Sequence, residues 1–181
     1  MKKLSFLFVF ILFAASAATV NANTSGDQPV FVKEFLGQVE FIEGRLLQLE
    51  GAMSQDQMTW APAEGVRNVA TVYLHVAEAN YMLVGKITGN APKGERGEIE
   101  KSTTDKNEVA EIMKASFSKI KESAANLTED DLNKEFEMFG MKFTLRNFMI
   151  TILNHMHEHL GQGIAYARMN GVTPPWSMKG E

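Results

Sequence analysis

Three of the four histidines in the chain fall within five positions, in the stretch NHMHEHLGQ at 154–162. Imidazole titrates near neutral pH and is the commonest side-chain metal ligand, so such a density invites a chemical explanation. On a helix, His155 and His159 are four residues apart and stack on one face, whereas His157 lies about 200° around from His155 and points away. The inward pair continues a stripe of Phe148, Ile152, His155, His159, Gln162 and Tyr166, at spacings of 4, 3, 4, 3 and 4. Two rings turned toward a protein interior need partners, because each unsatisfied polar group costs about 1–3 kcal/mol to bury. Three arrangements meet that need: a hydrogen-bonded core pair, a pair facing a water-filled cleft, or a pair sharing a divalent cation. His157 reads as a surface residue.

The remaining histidine, His75, sits near the edge of a second apolar stripe. Alone it reads as an ordinary core histidine, but facing helices of a bundle build metal sites from such side chains at mid-depth. Three histidines that leave a coordination position open suit a catalytic rather than a structural ion. Two polar neighbours could serve such a site. Gln162 falls about 20° from His155 on the helical wheel and could orient a ligand or a bound water, while Glu158 lies about 60° off and could act as a base. A solvent-facing acid is the plain alternative for Glu158.

Four long amphipathic helices are predicted to carry these residues. The first has its stripe at Phe31, Phe35, Val39, Ile42, Leu46 and Leu49, and ends at Gly51 and the polar run SQDQ. After a loop containing MTWAPAEGVRN, the second helix runs through Val69, Val72, Val76, Ala79, Leu83 and Ile87 to Gly89-Asn90. The polar stretch GNAPKGERGEIEKST reads as a solvated connector, with a lid as the other reading. Asp105 and Glu108 offer a capping box for a third helix with Val109, Met113, Phe117, Ile120, Ala124 and Leu127 inward. Thr128 and Asp131 suggest a short helical turn, and residues 135–143 an extended pair turning at Gly140. Thr144 can cap the last long helix, which Asn170-Gly171 stops ahead of Pro174 and Pro175. The fold class is all-α, a four-helix bundle.

The first 22 residues, two lysines, an unbroken apolar run and then small residues, have the order of a cleaved secretory signal. An uncleaved anchor is the alternative, and cleavage after Ala18 the second choice of site. Cleavage after Ala22 leaves residues 23–181 as one domain, large enough for a core of its own. Without Lys2 and Lys3 the formal net charge of −4 becomes −6. An acidic chain with no basic cluster does not suit nucleic acid. The absence of cysteine excludes both a disulfide framework and a thiol nucleophile. The expected location is periplasmic or extracellular, with no membrane attachment once the signal is removed.

The segments WAPAEGVRNVATVYLHVAEAN (60–80), KASFSKI (114–120) and above all NHMHEHLGQGIAYARMNGVTPPWS (154–177) resemble the DinB-like (DinB/YfiT) four-helix-bundle metalloproteins. The resemblance covers essentially the whole mature chain. It implies that His75 on the second helix and the His155–His159 pair on the last hold a divalent ion, zinc or nickel on chemical grounds. Gly161 and Gln162 match the residues that follow the pair in the family pattern. Trp60, Pro62, Arg67, Arg168 and the PPWS tail match too, and read as loop and tail packing. The resemblance further implies a small-molecule substrate or thiol and a homodimer. It leaves two functions in view: a metal-dependent hydrolase or thiol S-transferase, and a bundle that binds a metal or small ligand without turning it over.

Overall fold

Each predicted apolar stripe becomes the buried face of a helix. A computed structural model describes residues 28–90 and 97–178; the expected signal segment, 1–22, lies outside the described residues. The four long helices are α1 (Val30–Ala52), α2 (Val69–Thr88), α3 (Lys106–Ala124) and α5 (Leu145–Met169), with a single-turn α4 (Glu129–Leu132) between the last two. α1 and α2 each pack between α3 and α5, so they stand diagonally across the bundle, as do α3 and α5. This order sets α2 directly against α5. The helices that carry the four histidines are therefore neighbours.

Phe35, Val39, Ile42, Leu46 and Leu49 of α1 are buried together with Val72, Val76 and Leu83 of α2 and with Val109, Met113, Phe117 and Ile120 of α3. The period of 3.6 residues holds them on one side of each rod. α5 comes close to α1 and α2 at Gly163, where an added Cβ would stand 3.3 Å from Leu49 Cδ2 and 3.6 Å from the Tyr73 hydroxyl. Among the described residues, no helix is long and apolar enough to cross a membrane.

The local signals fare unevenly. Asn68 caps α2 by accepting from the Thr71 amide at 2.8 Å. Asp105 caps α3 by accepting from the Asn107 and Glu108 amides, but the predicted capping box does not close. The Glu108 carboxylate instead accepts from the Thr103 hydroxyl, which itself accepts from the Asp105 amide. Thr128 and Asp131 do form a complete box at α4. The extended pair is an antiparallel hairpin, β1 (Glu135–Met138) and β2 (Met141–Thr144), joined through Phe139 and Gly140 at φ 55° and 71°. It is a small addition to an otherwise helical chain.

Thr144 ends β2 and caps α5, its hydroxyl accepting from the Asn147 amide at 3.1 Å. Thr144→Ala removes the acceptor from the N-terminus of the helix that carries the histidine pair. The expected loss is about 1 kcal/mol of unfolding free energy by urea titration, with the m-value unchanged. The PPWS tail packs back on α1, where the Arg45 guanidinium lies 4.3 Å from the Trp176 ring centre.

Candidate metal centre

α5 places His155 and His159 one turn apart on the face it turns to α2, and His75 meets them from that helix. His155 Nε2 lies 3.1 Å from His75 Nε2 and 3.2 Å from His159 Nε2. One nitrogen from each ring lies within 4.8 Å of those of the other two, a group able to hold a metal ion. Nitrogens about 2.05 Å from a common centre at tetrahedral angles would themselves stand ~3.3 Å apart, close to the observed spacing. His157 is exposed as read, its Nδ1 donating back to the Leu153 carbonyl at 3.0 Å.

The outer ring nitrogens fix the tautomers. His75 Nδ1 faces the Glu100 carboxylate at 2.8 Å, and a carboxylate only accepts, so the hydrogen sits on Nδ1. His159 Nδ1 faces Gln162 Oε1 at 2.8 Å, while Gln162 Nε2 donates to the Tyr166 hydroxyl at 2.9 Å. His159 therefore also carries its hydrogen on Nδ1. Both rings thus aim Nε2 lone pairs at His155 Nε2, which has at most one hydrogen to offer. His155 Nδ1 is buried without a hydrogen-bond partner. Hydrogen bonds within the trio cannot satisfy three converging nitrogens together, whereas one cation can. The donor set fits a divalent ion.

The electrostatics keep His155 and His159 neutral. Burial, followed by the neighbouring His159 and His75 imidazoles and the Arg67 guanidinium, pushes His155 down to about 4. Burial also lowers His159, against an opposing hydrogen bond with Gln162. Burial raises the Glu100 carboxyl, but hydrogen bonds from Arg67 and His75 outweigh it and hold the group below its ordinary value. A metal ligand must be deprotonated, and a carboxylate behind it must be charged to be useful. His155 and His159 meet the first condition at neutral pH and Glu100 the second.

Glu100 is the residue that the sequence did not single out. It belongs to a 3₁₀ turn, Ile99–Lys101, inside the stretch read as a solvated connector. Its carboxylate bridges His75 to Arg67, with Arg67 Nε at 2.7 Å from Oε1 and Nη2 at 3.3 Å from Oε2. Arg67 thus does more than pack the loop. Gln162 reaches the cluster through His159, and its partner Tyr166 is met edge-on by Trp60 at 5.3 Å between ring centres. Glu158 is exposed. Glu100 stands behind a candidate ligand, His75, where Glu158 was the carboxylate expected on the flank. Glu100→Gln leaves the shape but removes the charge behind His75. A zinc affinity 10–100-fold weaker by chelator competition is the expected result.

A family model described as the DinB superfamily matches residues 38–162. Among solved structures, a DinB-like protein from Bacillus cereus is similar at 21% identity and TM-score 0.68, over 79% of this chain and 95% of that one. A DinB-like protein from Bacillus subtilis is similar at 21% identity and TM-score 0.63, over 77% and 93%. A conserved protein from Enterococcus faecalis is similar at 14% identity and TM-score 0.67, over 76% and 95%. At these identities the likeness speaks for the fold. No curated protein matches the chain.

Proposed function

This chain belongs to the DinB superfamily, and on that premise we propose an exported protein that holds a divalent cation on His75, His155 and His159 and acts with it on a small molecule. The observation that carries the reading is the convergence of three imidazole Nε2 atoms from two helices, two of them with their Nδ1 hydrogens committed outward. Three imidazoles suit zinc or nickel, and a three-ligand set suits chemistry better than a purely structural ion. A cation bound there would supply Lewis acidity and lower the pKa of a water or a thiol beside it, giving hydrolysis or S-transfer respectively.

The chain's own residues do the positioning. Glu100 holds His75 in one tautomer, Gln162 does the same for His159, and Tyr166 accepts from Gln162. Glu158, exposed on α5, would serve as a base only for a group arriving from solvent. The leader at 1–22 makes the destination periplasmic or extracellular, where access to a reduced thiol differs from that in the cytosol.

Elemental analysis of natively purified protein beside His75→Ala tests the metal, with a stoichiometric ion expected in the first and not in the second. The loaded protein is then assayed on ester, amide, epoxide and thiol-acceptor panels. Turnover lost on chelation and restored by metal supports an enzyme, and turnover indifferent to metal ends that reading. One observation favours capture without turnover instead. Both Glu100 oxygens are engaged, by Arg67 and His75, so among the described residues no carboxylate within the cluster is free to act as a base. A large metal-dependent melting shift without activity would favour that function.

A further inference from the structure

The carboxylate behind His75 reaches it from a connector, and the connector is itself held by α2. Glu78, one turn after His75, accepts the Gly97 amide on Oε1 at 2.6 Å and the Glu100 amide on Oε2 at 3.3 Å. Ile99 packs against the core between those two points. Glu100 then turns back to His75 and Arg67, with 14% of its side chain exposed. The segment is therefore clasped at three levels: by its backbone on Glu78, by an apolar side chain, and by a carboxylate on a candidate ligand.

We propose that residues 97–101 form a metal-responsive strap, in which Glu78 is a positioning residue that sets Glu100 on His75, so that docking of the strap and binding of the cation reinforce each other. The inference rests on the three-histidine reading above. Its physical basis is that a cation on His75 Nε2 polarises the ring and makes Nδ1–H a stronger donor to Glu100. Whatever tightens that hydrogen bond tightens the strap, and linkage requires the reverse: a strap released from Glu78 lowers the affinity of the site for its ion. Glu78 touches none of the three candidate ligand nitrogens, so beyond the effect of its charge, which Arg67 also feels, it acts through Glu100.

The test is a zinc affinity by chelator competition on four proteins: wild type, Glu78→Ala, Glu100→Gln and the double variant. Hydrogen exchange at residues 97–101 is followed with and without zinc. Glu78→Ala is expected to weaken zinc about tenfold, at the lower end of what loss of an outer partner costs. It should add much less in the Glu100→Gln background, where the charge that Glu78 sets behind His75 is already gone. Zinc should slow exchange at the Gly97 and Glu100 amides in wild type and leave it fast in Glu78→Ala. Additive losses, or an unchanged affinity in a folded Glu78→Ala, would overturn the strap while leaving the metal site standing. Should Glu78→Ala not fold, Glu78→Gln, which keeps one acceptor oxygen, is expected to give a smaller loss in the same pattern. No zinc binding by wild type would remove the site and the strap together.

Discussion

His155→Ala is expected to weaken metal binding by about two to three orders of magnitude, while His157→Ala, two residues away, leaves it intact. His155 is the middle member of the trio, with its Nε2 3.1 Å from one partner and 3.2 Å from the other. Removing it takes away one ligand of three and breaks the link between the two helices. Four-ligand zinc sites bind with about 10–16 kcal/mol, roughly 2.5–4 kcal/mol per ligand, so the loss should be about 10²–10³-fold. The metal-free variant should stay folded. The ring it removes has a buried, unpartnered Nδ1, and deleting that burden offsets part of the packing lost. His157 makes one hydrogen bond to its own helix and faces water, so its loss should not move the affinity. The readout is chelator competition with circular dichroism of each metal-free protein. An unchanged affinity in His155→Ala would exclude the trio as the binding site.

How much of this could be read from the sequence depends on whether a residue acts through a repeating geometry. The four stripes follow a period of 3.6, and their apolar members are buried from Phe35 to Ile152 except Ile87, while Val32, Tyr73, Leu74, Met149 and Met156 fill core positions outside them. The same regularity separated His155 and His159 from His157, since angle on a helix follows from residue number. Angle does not give reach, however. Glu158 lies on the flank of the pair by its wheel position, yet its side chain is exposed. Glu100 was hidden for the opposite reason. It lies 25 residues from His75 in a polar stretch with no period, and its place is set by tertiary hydrogen bonds to Glu78, Arg67 and His75. Arg67 reads as packing from the sequence because its carboxylate partner lies 33 residues away in that same stretch. At Asp105 the spacing for a capping box was present, but Thr103 competed successfully for Glu108.

Metal is expected to raise the melting temperature, and acid to erase the increment. A cation that binds only the folded chain at about 100 times its dissociation constant adds ~2.7 kcal/mol, or roughly 5–10 °C for a domain of this size. The sign of the pH effect follows from the ligands. His155 is lowered from 6.5 to about 4 in the folded protein, and His159 is lowered in the same direction, burial being the first cause for each. Between those two values the unfolded chain takes up a proton on His155 that the native chain refuses. The stability that His155 contributes to the metal-free protein is therefore complete above about pH 6.5 and is lost as pH falls through about 4. The cation competes with protons only where the native chain binds them, so the part of its increment that rests on His155 should persist well below pH 6.5 and be lost as pH falls through about 4. Thermal melts from about pH 7.5 to about pH 3, with zinc and with chelator, separate the two effects. The chelated protein reports the buried histidines, and the difference between the curves reports the ion. A full increment surviving at about pH 3, below the native value of His155, would mean that the cation is held elsewhere, and the three imidazoles would lose their assignment.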